Sequence, residues 1–246
     1  MAHFAASPQA TRRILGRTLS GRPLELLEVT KGHRPDKVGI WVQARQHPAG
    51  CGSSWACEGL LKWLVGPSDE ARAVRERVVV RILPLVNPDG VVSGNNRANA
   101  AGLDLNRQWD SANAAQAPDV LTALDDIARL EAEHSLAYFI DLHTHSSELK
   151  HRVFGVSGSS AFDRRERGYA QKIETLCADF SFTRSSFDNA HTGRVAKNRA
   201  HQLYPYTPSY TLEQTYHAIS YGLNAGAPMT VERYARMGEA VASFEG

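Results

Sequence analysis

The sequence predicts a single α/β domain with a central mixed, mostly parallel β-sheet flanked by helices. Apolar runs of strand length alternate with segments of helical periodicity along the 246 residues, and this alternation is typical of parallel strands joined by helices. No Pro-, Gly- or Ser-rich linker divides the chain. We therefore assign residues 14–246 to one domain and residues 1–13 to an N-terminal extension or an artificial start of the chain.

Seven segments favour strands. The first two flank a Ser-Gly-Arg-Pro turn and indicate an opening hairpin. Three continuous apolar runs, which are rich in Val, Ile and Leu, indicate buried strands. In chain order the predicted strands cover residues 14–17, 24–29, 38–44, 78–85, 136–142, 152–156 and 209–214.

Apolar residues at helical spacing predict the helices between these strands. They cover residues 53–65, 69–76, 120–130, 162–180 and 231–244. Residues 87–109 are rich in Asn, Gly and Asp instead, which predicts a long functional loop.

Composition and charge argue against several classes of protein. The 28 basic and 26 acidic residues give a net charge of +2 without a run of five like charges, so nothing favours nucleic-acid binding. No apolar stretch is long enough to predict a membrane span, and the first residues lack the apolar core of a signal peptide. Three cysteines are too few for a disulfide framework. We expect a cytoplasmic protein.

Candidate site residues follow or end the predicted strands. His47 follows the strand 38–44, Asn87 follows 78–85, His143 follows 136–142, and Glu213 lies in the last strand. Ligands of open α/β sheets bind beyond the carboxyl ends of the strands, so we expect these four side chains to converge on one cleft. Two imidazoles and a carboxylate base are the groups that a zinc hydrolase needs.

Each of these signals has an ordinary alternative when taken alone. A histidine after a strand is commonly a hydrogen-bonded surface residue. Glu213 could instead pair with a buried arginine. The Asn-rich loop could be only a series of turns.

Six motifs in order add a more specific signal. They are Leu15-Gly16-Arg17-Thr18-Leu19-Ser20-Gly21-Arg22-Pro23, Gln43-Ala44-Arg45-Gln46-His47-Pro48, Asn87-Pro88-Asp89-Gly90, Gly102-Leu103-Asp104-Leu105-Asn106-Arg107-Gln108-Trp109, Phe139-Ile140-Asp141-Leu142-His143-Thr144-His145 and Ser209-Tyr210-Thr211-Leu212-Glu213. The sequence resembles the zinc carboxypeptidase family over residues 15–216, and in particular its cytosolic carboxypeptidase branch. Members of this branch usually carry an additional N-terminal β-sandwich. None fits before residue 14, so the chain resembles the catalytic domain alone.

The resemblance implies a role for each matching residue. His47 and His143 match zinc ligands, Glu213 the general base, Arg97 the arginine that polarises the scissile carbonyl, and Asn106 and Arg107 the pair that binds the terminal carboxylate of the substrate. It also implies one zinc ion as cofactor and the carboxyl-terminal tails of peptides or proteins as partners, with neither nucleic acid nor membrane. Arginine is suited to binding the terminal carboxylate of a substrate because its planar guanidinium can donate two hydrogen bonds to a carboxylate.

The sequence departs from the family at the first metal motif. The family has His-Pro-Gly-Glu, and its glutamate is a zinc ligand, whereas this chain has His47-Pro48-Ala49-Gly50. Glu58 matches a different family position and is not a replacement. Cys51 could substitute, because a thiolate is a good zinc ligand, or it could simply be a small residue near a helix start. We therefore expect the zinc ion to be held weakly or not at all.

Two further interpretations complete the sequence argument. Arg194 lies in a stretch that resembles the specificity region of the family, so it is a candidate for binding an acidic side chain of the substrate; the alternative is a solvated surface arginine. We expect a metallocarboxypeptidase-like hydrolase that cleaves C-terminal residues, with acidic residues as the candidate substrates. The alternatives are a non-catalytic peptide-tail binder and a related zinc deacylase, whose usual His-Gly-Asn-Glu motif the sequence fits less well.

Overall fold

Within residues 2–32, 36–146, 151–156, 160–188, 192–218, 224 and 226–244, which the computed structural model describes, the chain forms one eight-stranded sheet with helices on both faces. The strands are β1 (Ala10–Arg17), β2 (Pro23–Val29), β3 (Val38–Ala44), β4 (Val78–Leu83), β5 (Leu136–His145), β6 (Arg152–Val156), β7 (Ser186–Asp188) and β8 (Ser209–Thr215). The helices are α1 (Ala2–Ala5), α2 (Cys51–Leu64), α3 (Asp69–Arg77), α4 (Pro88–Val92), α5 (Pro118–His134), α6 (Ser160–Leu176), α7 (Ala196–Leu203) and α8 (Val231–Val241), with short 3-10 turns at Leu105–Arg107 and Phe182–Arg184.

The predicted fold class is confirmed. The strand order is β1-β2-β4-β3-β5-β8-β6-β7. The four central strands β4, β3, β5 and β8 run parallel, while the pairs β1–β2, β2–β4 and β8–β6 are antiparallel. The parallel strands direct their carboxyl ends to one edge, which is where the candidate site lies.

The alternation of side chains along the central strands divides the core into two layers. On one face Ile40 and Val42 of β3 join apolar residues of α2, α6 and α8. On the other face Trp41 packs with Phe139 and with residues of α5 and α7. Both faces of the parallel strands are covered, which is why these strands read as continuous apolar runs.

Helices α2 and α8 approach each other unusually closely. A Cβ atom on Gly59 would lie 2.1 Å from the carbonyl oxygen of Ala235, and one on Gly238 would lie 1.8 Å from the carbonyl oxygen of Ala56. Any larger residue at either position would collide with backbone. The two glycines therefore fix the position of α2, whose first turn borders the candidate site.

Several elements differ from the sequence prediction. Strand β1 begins at Ala10 rather than at residue 14. Strand β5 continues through His145 because it pairs with β8 as far as Thr215, so His143 lies within the strand rather than after it. No pattern in the sequence predicts β7, which has three residues, or the polar helix α7.

Among the described residues, no helix is both long enough and apolar enough to cross a bilayer.

Candidate active site

One polar cavity of about 460 Å³ lies at the carboxyl ends of β3, β5 and β8. Its lining contains most of the residues selected from the sequence. The lining residues are His47, Ala49, Gly50, Asn96, Arg97, Asn106, Arg107, His143, Thr144, His145, Ser146, Glu213 and Tyr216.

A sharp turn after β3 brings His47 into this cavity. Arg45 adopts a left-handed backbone conformation with φ of 58°, which is unfavourable for a residue with a Cβ atom. Its side chain holds the turn by donating hydrogen bonds from Nε to the carbonyl of Pro48 (2.6 Å) and from Nη1 to Ser54 Oγ (3.0 Å). The buried Asn87 donates from Nδ2 to the carbonyl of Gln46 (3.3 Å). Asn87 thus supports the turn and does not line the cavity, contrary to our expectation.

Asp104 connects His47 with Arg97. Its Oδ1 lies 3.0 Å from Nε2 of His47, and its Oδ2 accepts from Nε (3.1 Å) and Nη2 (2.9 Å) of Arg97. Burial lowers the pKa of His47, and the contact with Asp104 partly offsets this. Burial would raise the pKa of Asp104, but its contacts with His47 and Arg97 outweigh that effect and hold the pKa well below its ordinary value.

A second carboxylate orients His143. Asp141 Oδ2 lies 2.8 Å from Nε2 of His143 and accepts from Nε2 of Gln46 at 2.8 Å. Gln46 in turn accepts from the indole Nε1 of Trp109 at 2.6 Å. Burial lowers the pKa of His143, but the charges of Asp141 and Glu213 outweigh it and raise the pKa to about 9. A metal ion at this imidazole would compete with that proton.

The two imidazoles lie next to each other in an edge-to-face arrangement. Their ring centroids are 4.7 Å apart and the rings are nearly perpendicular, at 84°. Both Nε2 atoms contact carboxylates, and no hydrogen bond to either Nδ1 is found within the described part of the chain. Histidines that bind metals usually have their second nitrogen held by a carboxylate or carbonyl in this way. The Nδ1 atoms are therefore the ones available to a metal.

Glu213 lies beside His143 because β8 and β5 pair these two residues in register. Its Oε2 is buried and has no hydrogen-bond partner among the residues that the structure describes. Burial raises the pKa of Glu213, and the charge of Asp141 adds to this, while His143 opposes it. A carboxylate with a raised pKa can accept and return a proton near neutral pH.

Asn106 and Arg107 form a second polar side of the cavity. The Oδ1 of Asn106 accepts a hydrogen bond from the backbone N–H of Ala196 (2.9 Å), which leaves the Nδ2 hydrogens to donate elsewhere. Arg107 donates from Nη1 to the carbonyl of Asn106 (2.7 Å) and is otherwise exposed. Together with Arg97, these groups provide donors suited to a carboxylate.

The described residues do not complete a catalytic zinc site. Gly50 lines the cavity and has no side chain that could donate to a metal; that a ligand is missing at this position remains a prediction from the family motif. Cys51 is exposed and does not line the cavity. In the part of the chain that the structure covers, no three His, Cys, Asp or Glu side chains are grouped so as to hold a metal. A catalytic zinc ion normally has three protein ligands, and here only the two imidazoles are in place.

Arg194 lies apart from this cavity. Its side chain is exposed and does not contribute to the lining, and its backbone carbonyl accepts from the N–H of Trp109 (3.2 Å). Its proposed role in specificity remains a prediction.

The residues that sequence reasoning missed are those that orient the others. The motifs contain Asp104, Asp141, Gln46 and Trp109 but do not by themselves assign these residues a role. Asp141 precedes His143 by two residues in one strand, and side chains two apart share a face. That spacing could have identified it, whereas the contact between Asp104 and His47, 57 residues apart, could not be read from spacing.

The comparison with sequence profiles settles the family. The profile described as zinc carboxypeptidase matches residues 1–226, nearly the whole chain. The chain belongs to the zinc carboxypeptidase family.

Individual relatives agree with this family assignment. Cytosolic carboxypeptidase 6 of Mus musculus is 33% identical over 249 residues, which cover 94% of this chain and 45% of the relative. The human protein of the same name is 32% identical over 94% of this chain and 48% of its own length. This family member thus spans about half the length of these curated relatives.

Solved structures show the same fold. A metallo-carboxypeptidase from Burkholderia cenocepacia superposes with a TM-score of 0.89 at 29% identity, covering 98% of this chain and 65% of the other. A metallo-carboxypeptidase from Pseudomonas aeruginosa gives a TM-score of 0.87 at 27% identity with the same coverage.

Proposed function

We propose that this chain binds the carboxyl-terminal end of peptides in the cavity and acts as a metallocarboxypeptidase-type hydrolase whose metal site is weakened by Gly50. The observation that carries the proposal is that one cavity is lined by the two imidazoles, Glu213 and the carboxylate-binding donors. Family membership supports the reaction class.

Each side of the cavity has a distinct task in this proposal. Asn106 and Arg107 bind the terminal carboxylate, which fixes the last peptide bond in place. Arg97 donates to the carbonyl oxygen of that bond as negative charge develops there. Glu213 takes a proton at its Oε2 from the water that attacks the carbonyl carbon, and returns it to the nitrogen of the departing terminal residue. Two imidazoles alone do not complete a catalytic zinc site, which normally has three protein ligands.

Solved relatives support carboxylate recognition by this fold. The Pseudomonas aeruginosa metallo-carboxypeptidase was crystallised with (2-guanidinoethylmercapto)succinic acid, a carboxylic acid ligand. We extend this ligand class to the cavity of the present chain.

A non-catalytic peptide-tail binder is the second candidate, and Gly50 is the observation that favours it. Such a protein would keep the carboxylate-binding side of the cavity while lacking the third metal ligand. Both candidates therefore require recognition of a free terminal carboxylate, and they differ only in hydrolysis.

Binding and hydrolysis together test the proposal. Calorimetry should show tighter binding of a peptide with a free carboxylate than of its C-terminal amide. Arg107→Ala should reduce that preference by about 10–100-fold, because hydrogen bonds to charged groups contribute about 1.5–3 kcal/mol. The surface variant Arg72→Ala should leave it unchanged. Equal binding of acid and amide by the unmodified chain would reject both candidates.

Hydrolysis then separates the two candidates. With zinc supplied, Gly50→Glu should release the terminal residue at least ~10-fold faster than the unmodified chain, since a completed site holds metal better. Glu213→Gln in the same background should return the rate to that of the solvent control. Peptide binding without any hydrolysis, in both the unmodified chain and Gly50→Glu, would favour the non-catalytic binder.

Substrate preference is a separate part of the proposal. Arg194 is proposed to attract an acidic terminal residue across the protein surface. Because the side chain is exposed, the effect should be small, about 0.2–1 kcal/mol. Arg194→Ala should therefore reduce the preference for Glu-terminated over Leu-terminated peptides by less than about five-fold. An unchanged ratio would show that this arginine is only a solvated surface residue.

A further inference from the structure

A second cavity, of about 350 Å³, lies at the edge of the sheet opposite the candidate active site. It is lined by the first residues of β3 and β5, by the segment that precedes β8, and by residues of α5 and α6. The two cavities share no lining residue. A volume of this size is in the range of pockets that bind small molecules, and the proposed function makes no use of it.

Two opposite charges border this second cavity. The carboxylate of Glu131 accepts a hydrogen bond at Oε2 from the backbone N–H of Leu136. The guanidinium of Arg165 donates from Nη2 to the carbonyl oxygen of Ala137 at 3.3 Å, and its central carbon lies 5.0 Å from the ring centroid of Tyr138. Both charged groups are therefore anchored at the first residues of β5.

These two charges do not neutralise each other. Within the described part of the chain, neither Glu131 nor Arg165 forms an ion pair, either with the other or with a third residue. The Oε1 atom of the carboxylate and further N–H groups of the guanidinium are therefore available to a ligand. A ligand that carries a cation and an anion at once can bind both groups through charge-assisted hydrogen bonds.

The rest of the lining offers apolar surface. Leu203 and Tyr206 line the cavity although their side chains are largely open to solvent, with Tyr206 85% exposed. Tyr204 lines it beside them and is half-buried. An apolar group that covers such side chains removes their surface and its own from water, and an aromatic group can also stack on the tyrosine rings. The lining thus favours a ligand with a large apolar part.

We propose that this second cavity binds a free amino acid with a large apolar side chain. Its carboxylate contacts Arg165, its ammonium group contacts Glu131, and its side chain packs against Leu203 and Tyr206. A simple carboxylic acid would leave Glu131 without a partner, and a simple amine would leave Arg165 without one. The inference goes beyond the proposed function, because this site requires neither peptide binding nor hydrolysis in the first cavity.

A series of related ligands tests the chemistry on the unmodified chain. Calorimetry should show saturable binding of L-phenylalanine. Its amide lacks the carboxylate and its N-acetyl derivative lacks the ammonium group, so each should bind about 10-fold more weakly, the lower end of the effect of a hydrogen bond to a charged group. Glycine keeps both charges but lacks the apolar part, and it should also bind more weakly.

Variants locate the binding site. Arg165→Gln and Glu131→Gln should each weaken the binding of L-phenylalanine by about 10-fold, and the glutamine at position 131 can still accept from the N–H of Leu136. Arg165→Gln should not weaken the binding of the amide further, because that ligand has no carboxylate to lose. The matched controls Arg164→Gln and Asp125→Asn, at exposed positions of α6 and α5, should bind as the unmodified chain does.

The first cavity is also proposed to bind carboxylates, so Arg107→Ala is measured in parallel. Its affinity for L-phenylalanine should remain unchanged. Binding that is lost in Arg107→Ala but kept in Arg165→Gln would place the ligand in the first cavity and overturn the inference. So would the absence of saturable binding, or an N-acetyl derivative that binds as tightly as the free amino acid.

The two proposals can fail separately. The preference for peptides with a free carboxylate depends on Arg107, whereas the binding of the free amino acid depends on Arg165 and Glu131. Loss of the second with the first intact rejects only this inference. Equal binding of peptide acid and amide, together with binding of L-phenylalanine that depends on Arg165, rejects only the proposed function.

Discussion

At the scale of single residues, two carboxylates determine which nitrogen of each imidazole is left available to a metal. Asp104 and Asp141 hold the Nε2 atoms of His47 and His143 at 3.0 and 2.8 Å. Each Nδ1 is thereby directed to the cavity. Asp104 has a second role, since the same carboxylate fixes Arg97 through two hydrogen bonds. The position of the arginine is therefore coupled to that of the histidine.

We predict that Asp104→Asn weakens metal binding. An amide keeps one acceptor oxygen but loses the charge that orients both His47 and Arg97. In the Gly50→Glu background, zinc affinity should fall by about 10–100-fold, the usual effect of removing a group that holds a metal ligand. Equilibrium competition with a chelator measures this. Asp110→Asn, at an exposed acid of the neighbouring loop, should have no effect; equal losses in the two variants would contradict the role of Asp104.

At the scale of elements, the sequence predicted the parts of the site that depend on strand order and missed the parts that depend on long-range contacts. Apolar runs located β3 and β5, and the rule for parallel sheets then placed His47 and His143 at one edge. Asn87 also follows a parallel strand, but its side chain is buried and donates a hydrogen bond to the backbone carbonyl of Gln46. Its direction depends on the packing of a neighbouring turn, which no local pattern encodes.

The close approach of α2 and α8 is another feature without a local signal. In the sequence, the glycines at the crossing appear only as residues of low helix propensity. The position of the partner helix is what shows that a side chain cannot fit there.

We predict that Gly238→Ala destabilises the protein by about 3 kcal/mol, at the upper end of the usual range for overpacking. The added Cβ atom would lie 1.8 Å from the backbone oxygen of Ala56. The backbone of a helix, unlike a flexible side chain, cannot move aside to relieve this contact. Urea denaturation measures the free energy of unfolding. Gly168→Ala is the matched control, because nothing lies within 4 Å of its Cβ position in α6; it should stabilise by about 0.5–1 kcal/mol. A neutral effect of Gly238→Ala would show that α2 is free to move.

At the scale of the whole molecule, a buried ion pair attaches α8 to the loop that follows α6. Arg233 donates to both carboxylate oxygens of Asp179, from Nε at 2.7 Å and from Nη2 at 2.5 Å. Asn224 donates to the same carboxylate at 2.6 Å. Burial raises the pKa of Asp179, but these hydrogen bonds outweigh it and lower the pKa below its ordinary value.

The stability of the fold should therefore depend on this pair and on pH. A carboxyl group whose pKa is lowered by folding stabilises the folded state above its unfolded pKa of about 3.9, and the contribution is lost as the pH falls through the folded value. At pH 7, Asp179→Asn should reduce the free energy of unfolding by about 3–5 kcal/mol, since it leaves Arg233 buried without its counter-charge.

Urea denaturation at several pH values checks this dependence. The difference between the unmodified chain and Asp179→Asn should shrink as the pH falls below about 4, because the unfolded chain takes up the proton at Asp179 first and the folded chain only at a lower pH. The exposed control Asp69→Asn should change the free energy of unfolding by no more than about 0.5 kcal/mol at pH 7. A difference that is constant across the pH range would mean that the charge of Asp179 is not what stabilises the fold.

We propose that this family member pairs a peptide-binding cavity with an incomplete metal site. Zinc per chain, measured by elemental analysis after dialysis against a fixed low concentration of free zinc, tests this most directly. We predict clearly less than one zinc ion in the unmodified chain and close to one in Gly50→Glu. If Cys51 supplied the third ligand, occupancy would be full and Cys51→Ala would abolish it. Full occupancy that survives Cys51→Ala would contradict the account.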